Sequence, residues 1–291
     1  MVKLPVVSLT LAVLAAACNA VSSVLQRKAN RDEAEQREFG AALLLHLLRR
    51  PAWLLGFAAL IASFLLQATA LAHGTLSEVE PILVLELPLT LVLGAYVLKY
   101  PVRHRYWLVA AGMGAGLALL IVGLDPSGGD AAHISTPLAL VATAGTVGGV
   151  VALVMAARSG PARSRAALYG VAAGSGFGLT ASLMKLAVAQ LSADGPAGLF
   201  SAWETYAMAV FGIASLGLVQ AALNAGTLVA AQPGITLLDP LVSLLWGTVV
   251  IGEQTRSGPV LGLAGLGAAL IIAGAVLLAR VTGRTAIAEA T

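Results

Sequence analysis

Two carboxylates in opposite halves of the chain, Glu86 and Asp239, fall inside apolar stretches that carry the same punctuation. The first reads Ala70-Leu71-Ala72-His73-Gly74-Thr75-Leu76, then Pro81, Glu86 and Pro88; the second reads Ala222-Leu223-Asn224-Ala225-Gly226-Thr227-Leu228, then Pro233, Asp239 and Pro240. At one constant offset Gly74, Thr75, Leu76, Pro81, Leu85 and Pro88 fall on Gly226, Thr227, Leu228, Pro233, Leu237 and Pro240, which marks an internal duplication. An acidic group in hydrocarbon costs roughly 2.5 to 3.5 kcal/mol on insertion scales, so paired acids beside helix-breaking prolines point to a functional site, and first to transport.

If Thr75 starts a membrane-spanning helix at the boundary, Glu86 lies about 16 Å deeper, near the midplane. Asp239 reaches about 18 Å from the opposite side when counted from Thr227. Glu78 and Glu80 fall in the first turns, where water or headgroups could solvate them and the helix dipole favours anions. They are structural or substrate-binding candidates. Pro81, Pro88, Pro233 and Pro240 free backbone carbonyls that can serve as ligands where they line a cavity. Gln67, Gln220, Asn224 and Gln232 could add amide oxygens, and Asn19, Ser22 and Ser23 could contribute from the first span, although any one alone more often makes an interhelical hydrogen bond. Lys185 is expected to snorkel to the interface; paired with Asp239 instead, it would remove a negative charge from the cavity.

The elements that must hold these residues follow from composition. With 58% hydrophobic residues, 11% charged and a mean hydropathy of +0.90, the chain belongs in a bilayer. Nine apolar runs are long enough to cross it, near 5–27, 52–73, 76–98, 106–123, 135–157, 165–190, 203–223, 227–250 and 258–280. The segment Phe39 to Arg50, ending in Arg49-Arg50, suits an interfacial helix better than a tenth span. The first run is read as a retained span, since no cleavage site follows it. Trp53, Trp107 and Trp203 lie at span ends and read as interface anchors, with Trp246 deeper. The single Cys18 excludes a disulfide framework and a zinc spacing.

Of the 17 Lys and Arg, all but Lys3, Lys185 and Arg256 fall in one set of alternate loops or the tail: Arg27, Lys28, Arg31, Arg37, Arg49 and Arg50; Lys99, Arg103 and Arg105; Arg158, Arg163 and Arg165; Arg280 and Arg284. The positive-inside rule then puts the N-terminus outside and the C-terminus in the cytoplasm of a cell whose plasma membrane holds the chain. With nine spans, two four-helix units run in opposite directions through the membrane, joined by one linking helix. The expected organisation is a first repeat over 1–124, a linking loop and helix over 125–163, and an inverted repeat over 164–291. Gly114, Gly116, Leu119, Ile121 and Gly123 also fall on Gly265, Gly267, Leu270, Ile272 and Gly274. Such glycines, with Gly112 and Gly262, let helix backbones approach closely.

On the residues Val24-Leu25-Gln26-Arg27-Lys28, Ala70 to Pro81, Gly174 to Lys185, and Gln220 to Asn224 leading to Pro233, the chain resembles the drug/metabolite transporter superfamily. Its nine-span arrangement is similar to that of NIPA-type magnesium transporters and of EamA-like transporters. The resemblance, covering nearly the whole chain, implies an all-α polytopic fold of two inverted repeats and a site between them. It also implies a small cation as substrate, with Mg2+ a candidate at Glu86 and Asp239, because magnesium keeps several waters and uses one or two carboxylates. No resident cofactor is implied. The partners expected are the bilayer and a small cation or small molecule, with a homodimer left open.

Three other functions remain. A proton-coupled exporter of small metabolites or drugs would cycle Glu86 or Asp239 between protonated and ionised forms. A non-transporting scaffold gains nothing from buried acids. An intramembrane enzyme has no support in a Gly-x-Ser-x-Gly elbow, a His-Glu-x-x-His pair or a nucleotide loop, and His46, His73, His104 and His133 are scattered in loops and at span ends. Nucleic acid is not expected, because the basic residues sit in short loops without interleaved aromatics.

Overall fold

The computed structural model describes residues 4–34, 50–98, 104–159, 162–225 and 228–288. The interfacial segment expected over 39–49, Gly226 and Thr227, and Lys3, Arg37, Arg49, Lys99 and Arg103 lie outside them, as do the side chains of Arg27, Arg31, Arg105, Arg163, Gln232, Arg280 and Arg284. Continuous runs of Leu, Ala, Val and Gly without polar punctuation leave these segments no way to satisfy their backbone in lipid except as helices. The elements are α1 (Leu4–Ala34), α2 (Pro51–His73), α3 (Leu76–Leu83), α4 (Glu86–Leu98), α5 (His104–Leu124) and α6 (Thr136–Ser159). They continue with α7 (Ala162–Ser201), α8 (Trp203–Ala225), α9 (Leu228–Leu245), a π-helical turn (Trp246–Val250) and α10 (Leu261–Ala288).

Among the described residues eight spans are long and apolar enough to cross a bilayer, α3 and α4 together making one, and Leu261–Leu277 within α10 is a shorter apolar helix. The chain is an all-α, multi-pass membrane protein.

Two elements differ from the sequence expectation. The span expected over 76–98, with Pro81 and Pro88 as helix-breaking residues, breaks at Val84 and Leu85, where Leu85 N bonds Ile82 O at 3.0 Å and Leu87 N bonds Val84 O at 3.1 Å in tight three-residue turns. The cause is the proline pair: Pro88 cannot donate to the carbonyl of Val84, and the ring of Pro81 crowds the turn before it. Glu86 becomes the first residue of the second half-helix. The span expected to end near 190 continues to Ser201, with one non-helical residue, Gly195, at φ 66° and ψ −159°. Pro196 then restarts the helix at the position where its missing N–H costs nothing.

Helix directions follow from the contacts. Ser63 Oγ donates to Ala15 O at 2.8 Å while Gly56 backs onto Gln26, so α1 and α2 are antiparallel. Ser8 meets Glu78, Asn19 meets Glu86 and Val24 meets Gly94, so α1 runs parallel to the α3–α4 span. The second half repeats this. Gly176 faces Ser215 and Gly212 faces Thr180, so α7 and α8 are antiparallel. Gly170, Gly174 and Gly178 face Ala231, Gly234 and Asp239 in turn, so α7 runs parallel to α9.

Between the halves, Gly116 packs on Gly267, Gly123 on Ala264 and Gly274 on Met113, which makes α5 and α10 antiparallel. A Cβ on Gly116 would stand 2.8 Å from Gly267 O. Gly112, Gly114, Gly262 and Gly265 have no such neighbour, so close backbone contact is confined to one edge of each glycine-rich helix.

At one end of the bundle two loops pair as a two-residue antiparallel ladder, β1 (Ser127–Gly128) with β2 (Glu253–Gln254). Asp130 N bonds Ile251 O at 3.1 Å, Arg256 N bonds Leu124 O at 2.8 Å, and Arg256 pairs with Asp125 at 3.0 Å. This cap covers the turn between α2 and α3.

Candidate functional site

Three carboxylates from both halves lie inside the bundle, near enough to interact electrostatically but without converging on one point: Glu80 on α3, Glu86 at the start of α4 and Asp239 on α9. Asp239 lies within electrostatic reach of both glutamates. Each glutamate is held by neutral donors. Asn19 Nδ2 donates to Glu86 Oε2 at 2.6 Å and Ser23 Oγ to Glu86 Oε1 at 3.1 Å; Gln67 Nε2 donates to Glu80 Oε1 at 2.9 Å. Asn19 and Ser23 are one helical turn apart on α1, which brings both onto the same face. Asp239 differs from the glutamates, because its Oδ1 is sealed from solvent without a hydrogen-bond partner. None of the ion pairs among the described residues involves these acids.

The Gly170, Gly174 and Gly178 stripe on α7 places Asp239. A Cβ on Gly178 would stand 2.6 Å from Asp239 O, so only a glycine lets the α9 backbone come this close to α7. Pro240, which follows Asp239, has no N–H to donate. Pro233 lies one helical stretch earlier in α9, and Pro81 and Pro88 are both buried beside the acids of the other half.

Sequence depth misplaces Glu78 and Glu80. Expected to be solvated, they are 7% and 3% exposed, because the β1–β2 cap and α1 seal the end of the span where they lie. Glu78 accepts from Ser8 Oγ at 3.3 Å. Lys185, half-buried, does not pair with Asp239. Its Nζ donates to Leu71 O at 2.5 Å and Gly74 O at 2.7 Å, carbonyls at the C-terminal end of α2, and it lies within electrostatic reach of Glu253 and Glu78. Gln220 and Asn224 are exposed on α8, and no hydrogen bond among the described residues ties either to the acids.

Two buried acids escaped sequence reasoning, Glu204 in the first turn of α8 and Glu253. Glu253, 4% exposed, accepts from Leu76 N at 2.6 Å, Ser77 N at 3.0 Å and Ser77 Oγ at 2.5 Å. It fills the open N-terminus of α3, where Thr75 provides no side-chain cap. In sequence Glu253 sits in a short polar loop and looks solvated; only the loop pairing carries it inward. Lys185 on the end of α2 and Glu253 on the start of α3 thus hold the α2–α3 turn from two sides. Replacing Glu253 with Ala leaves three buried donors unpaired at about 1 to 3 kcal/mol each. The expected result is a marked fall in the melting temperature of the purified protein, with a smaller fall for Glu253→Gln, which keeps one acceptor oxygen. Equal melting of Glu253→Ala and the unmodified chain would deny the clamp.

Beside this turn lies an open cavity of about 360 Å³, lined by Leu71, Ala72, Asp130, Lys185, Ala189 and Ser192 among others. At its rim the hydrogen bond from His133 holds the exposed Asp130 carboxyl below the usual carboxylate range. Among the described residues no three His, Cys, Asp or Glu side chains converge so as to hold a bare metal ion.

Over 215 residues, 72% of this chain and 73% of the relative, the chain is 30% identical to the uncharacterized protein Cgl0250/cg0304 of Corynebacterium glutamicum. The chain belongs to the family of that protein. No family model matches it, and no solved structure matches it either.

Proposed function

We propose that the chain is a secondary transporter of the drug/metabolite transporter type, which carries a small cation through the carboxylate cluster by alternating access. The observation that carries this reading is that Glu80, Glu86 and Asp239, from both halves of an apolar bundle, lie within electrostatic reach of one another through Asp239, the glutamates held by neutral donors and none of the three in an ion pair among the described residues. A group of acids with no cationic side chain paired to it among the described residues needs protons or a bound cation for balance. The helix directions support inverted repeats: α1 and α7 each run antiparallel to the next span and parallel to the one after, and the corresponding helices α5 and α10 oppose each other.

Magnesium is the cargo that the resemblance to NIPA-type transporters suggests. Without three converging ligand side chains it would be held through its own waters, with Glu86 and Asp239 as outer anchors. A second reading, a proton-coupled exporter of small metabolites or drugs, is favoured by the unpartnered Oδ1 of Asp239. A scaffold explains neither.

The N-terminus lies outside and the C-terminus in the cytoplasm of the plasma membrane in this proposal. In a Cys18→Ala background, Gly128→Cys should react with an impermeant maleimide from outside and Pro161→Cys only from inside. Reversed labelling at both positions would invert the orientation.

Proteoliposomes holding the full chain test the transport reading against magnesium and a panel of small ammonium compounds, with and without an imposed pH gradient. Saturable flux of at least one cation is expected. No flux of any cation, under any gradient, would overturn the cation reading.

A further inference from the structure

We propose that Asp239 is the residue that takes up and releases the coupling proton in the carboxylate cluster, while Glu86 stays a fixed acceptor. The proposal rests on the transport reading above and assigns its coupling ion to one side chain.

The cluster divides its acids by their partners. Both oxygens of Glu86 accept hydrogen bonds, from Asn19 and Ser23 respectively, and Glu80 Oε1 accepts from Gln67. Oxygens that already receive donors are suited to remain acceptors: a proton on Glu86 Oε2 or Glu80 Oε1 would face an amide N–H, and one on Glu86 Oε1 would require the Ser23 hydroxyl to turn from donor to acceptor. Asp239 Oδ1 receives no donor and is sealed from solvent. Left ionised, that oxygen would carry the desolvation cost of an unpaired charge beside two other acids; protonated, the group is neutral and that cost falls away.

Among the described residues the surroundings supply no other ionisable partner. The ionisable groups within electrostatic reach of Asp239 are Glu80 on α3 and Glu86 on α4. From α7 it meets the backbone of Gly178, and the ionisable residue of that helix nearest the cluster in sequence, Lys185, is committed to Leu71 O and Gly74 O. Residues 228–250 contain no second ionisable side chain, and Leu261–Leu277 of α10 contains none. In balance, a proton from the aqueous side adds to the Asp239 carboxylate, neutralises one charge, and leaves again to the opposite side when the cavity reopens.

Infrared difference spectra of the full chain in lipid, taken between acidic and alkaline buffer, read the carbonyl stretch of a protonated carboxylic acid directly. The expected band disappears in Asp239→Asn and persists in Glu86→Gln. Should Asp239→Asn fail to fold, the unmodified chain labelled with carboxyl-13C aspartate answers the same question, because the band must move to lower frequency. A band that ignores aspartate labelling, or that vanishes in Glu86→Gln instead, assigns the proton to a glutamate and overturns the proposal while leaving transport intact. Absence of any such band in the unmodified chain also overturns it. Transport itself fails only if flux is absent from the unmodified chain, whatever the spectra show.

Discussion

Replacing Glu86 with Gln should reduce cation flux in proteoliposomes by roughly 100- to 1,000-fold while the protein remains folded. The reason is that the substitution keeps the shape and one acceptor oxygen, for Asn19, while Ser23 can turn to accept from the new amide, but it removes the charge that a bound cation would meet. Removing one member of a buried charge pair costs about 3 to 5 kcal/mol, and each 1.4 kcal/mol is about tenfold in affinity. Asp239→Asn should be as severe for flux driven by a pH gradient, because an amide cannot carry an exchangeable proton. Gln220→Ala and Asn224→Ala, on exposed positions of α8, should transport normally. Wild-type flux in both midplane variants would remove the site from these residues.

The second large effect is steric. A Cβ at position 174 would stand 2.6 Å from both Gly234 O and Ile235 O, and backbone on both sides cannot yield as a side chain could. Gly174→Leu should therefore push α9 away from α7, lower the melting temperature by the equivalent of at least about 1 to 3 kcal/mol, and carry Asp239 out of reach of the glutamates. The control is Gly148 on α6, which has nothing within 4 Å of the added atom. Gly148→Leu should change neither melting nor flux. Equal behaviour of the two variants would contradict the packing described for α7 and α9.

The residues that were legible in sequence owe it to local chemistry. Hydrophobic runs of span length exposed the membrane-crossing helices, and the prolines around Glu86 marked the irregular backbone that holds it, whereas Pro233 and Pro240, expected to break their helix, lie inside a continuous α9 that carries Asp239. Asn19, Ser23 and Gln67 could be named as candidates because polar residues are rare in such runs, although which acid each would meet depended on helix pairing. The break at Val84 and Leu85 was foreshadowed by Pro81 and Pro88, but not its position.

What stayed hidden depends on distant parts of the chain. Glu253 reaches Leu76 and Ser77 from more than half the chain away, and its own neighbourhood, Gly252 to Arg256, is that of a solvated turn. Glu80 was read as solvated from its closeness to a helix start, yet depth along a helix does not measure burial when loops fold over the end. Lys185 was expected at an interface; that its ammonium would meet the carbonyls of Leu71 and Gly74 at the end of α2 no residue count along α7 could show.

The central claim is that a cation and a proton compete for one group of buried acids. A pH-sensitive dye trapped in proteoliposomes tests it directly: a pulse of transported cation outside should drive protons out of the lumen in a saturable way. The signal should be lost in Glu86→Gln and in Asp239→Asn. Cation flux with no accompanying proton movement, or proton movement unchanged in both variants, would contradict the account.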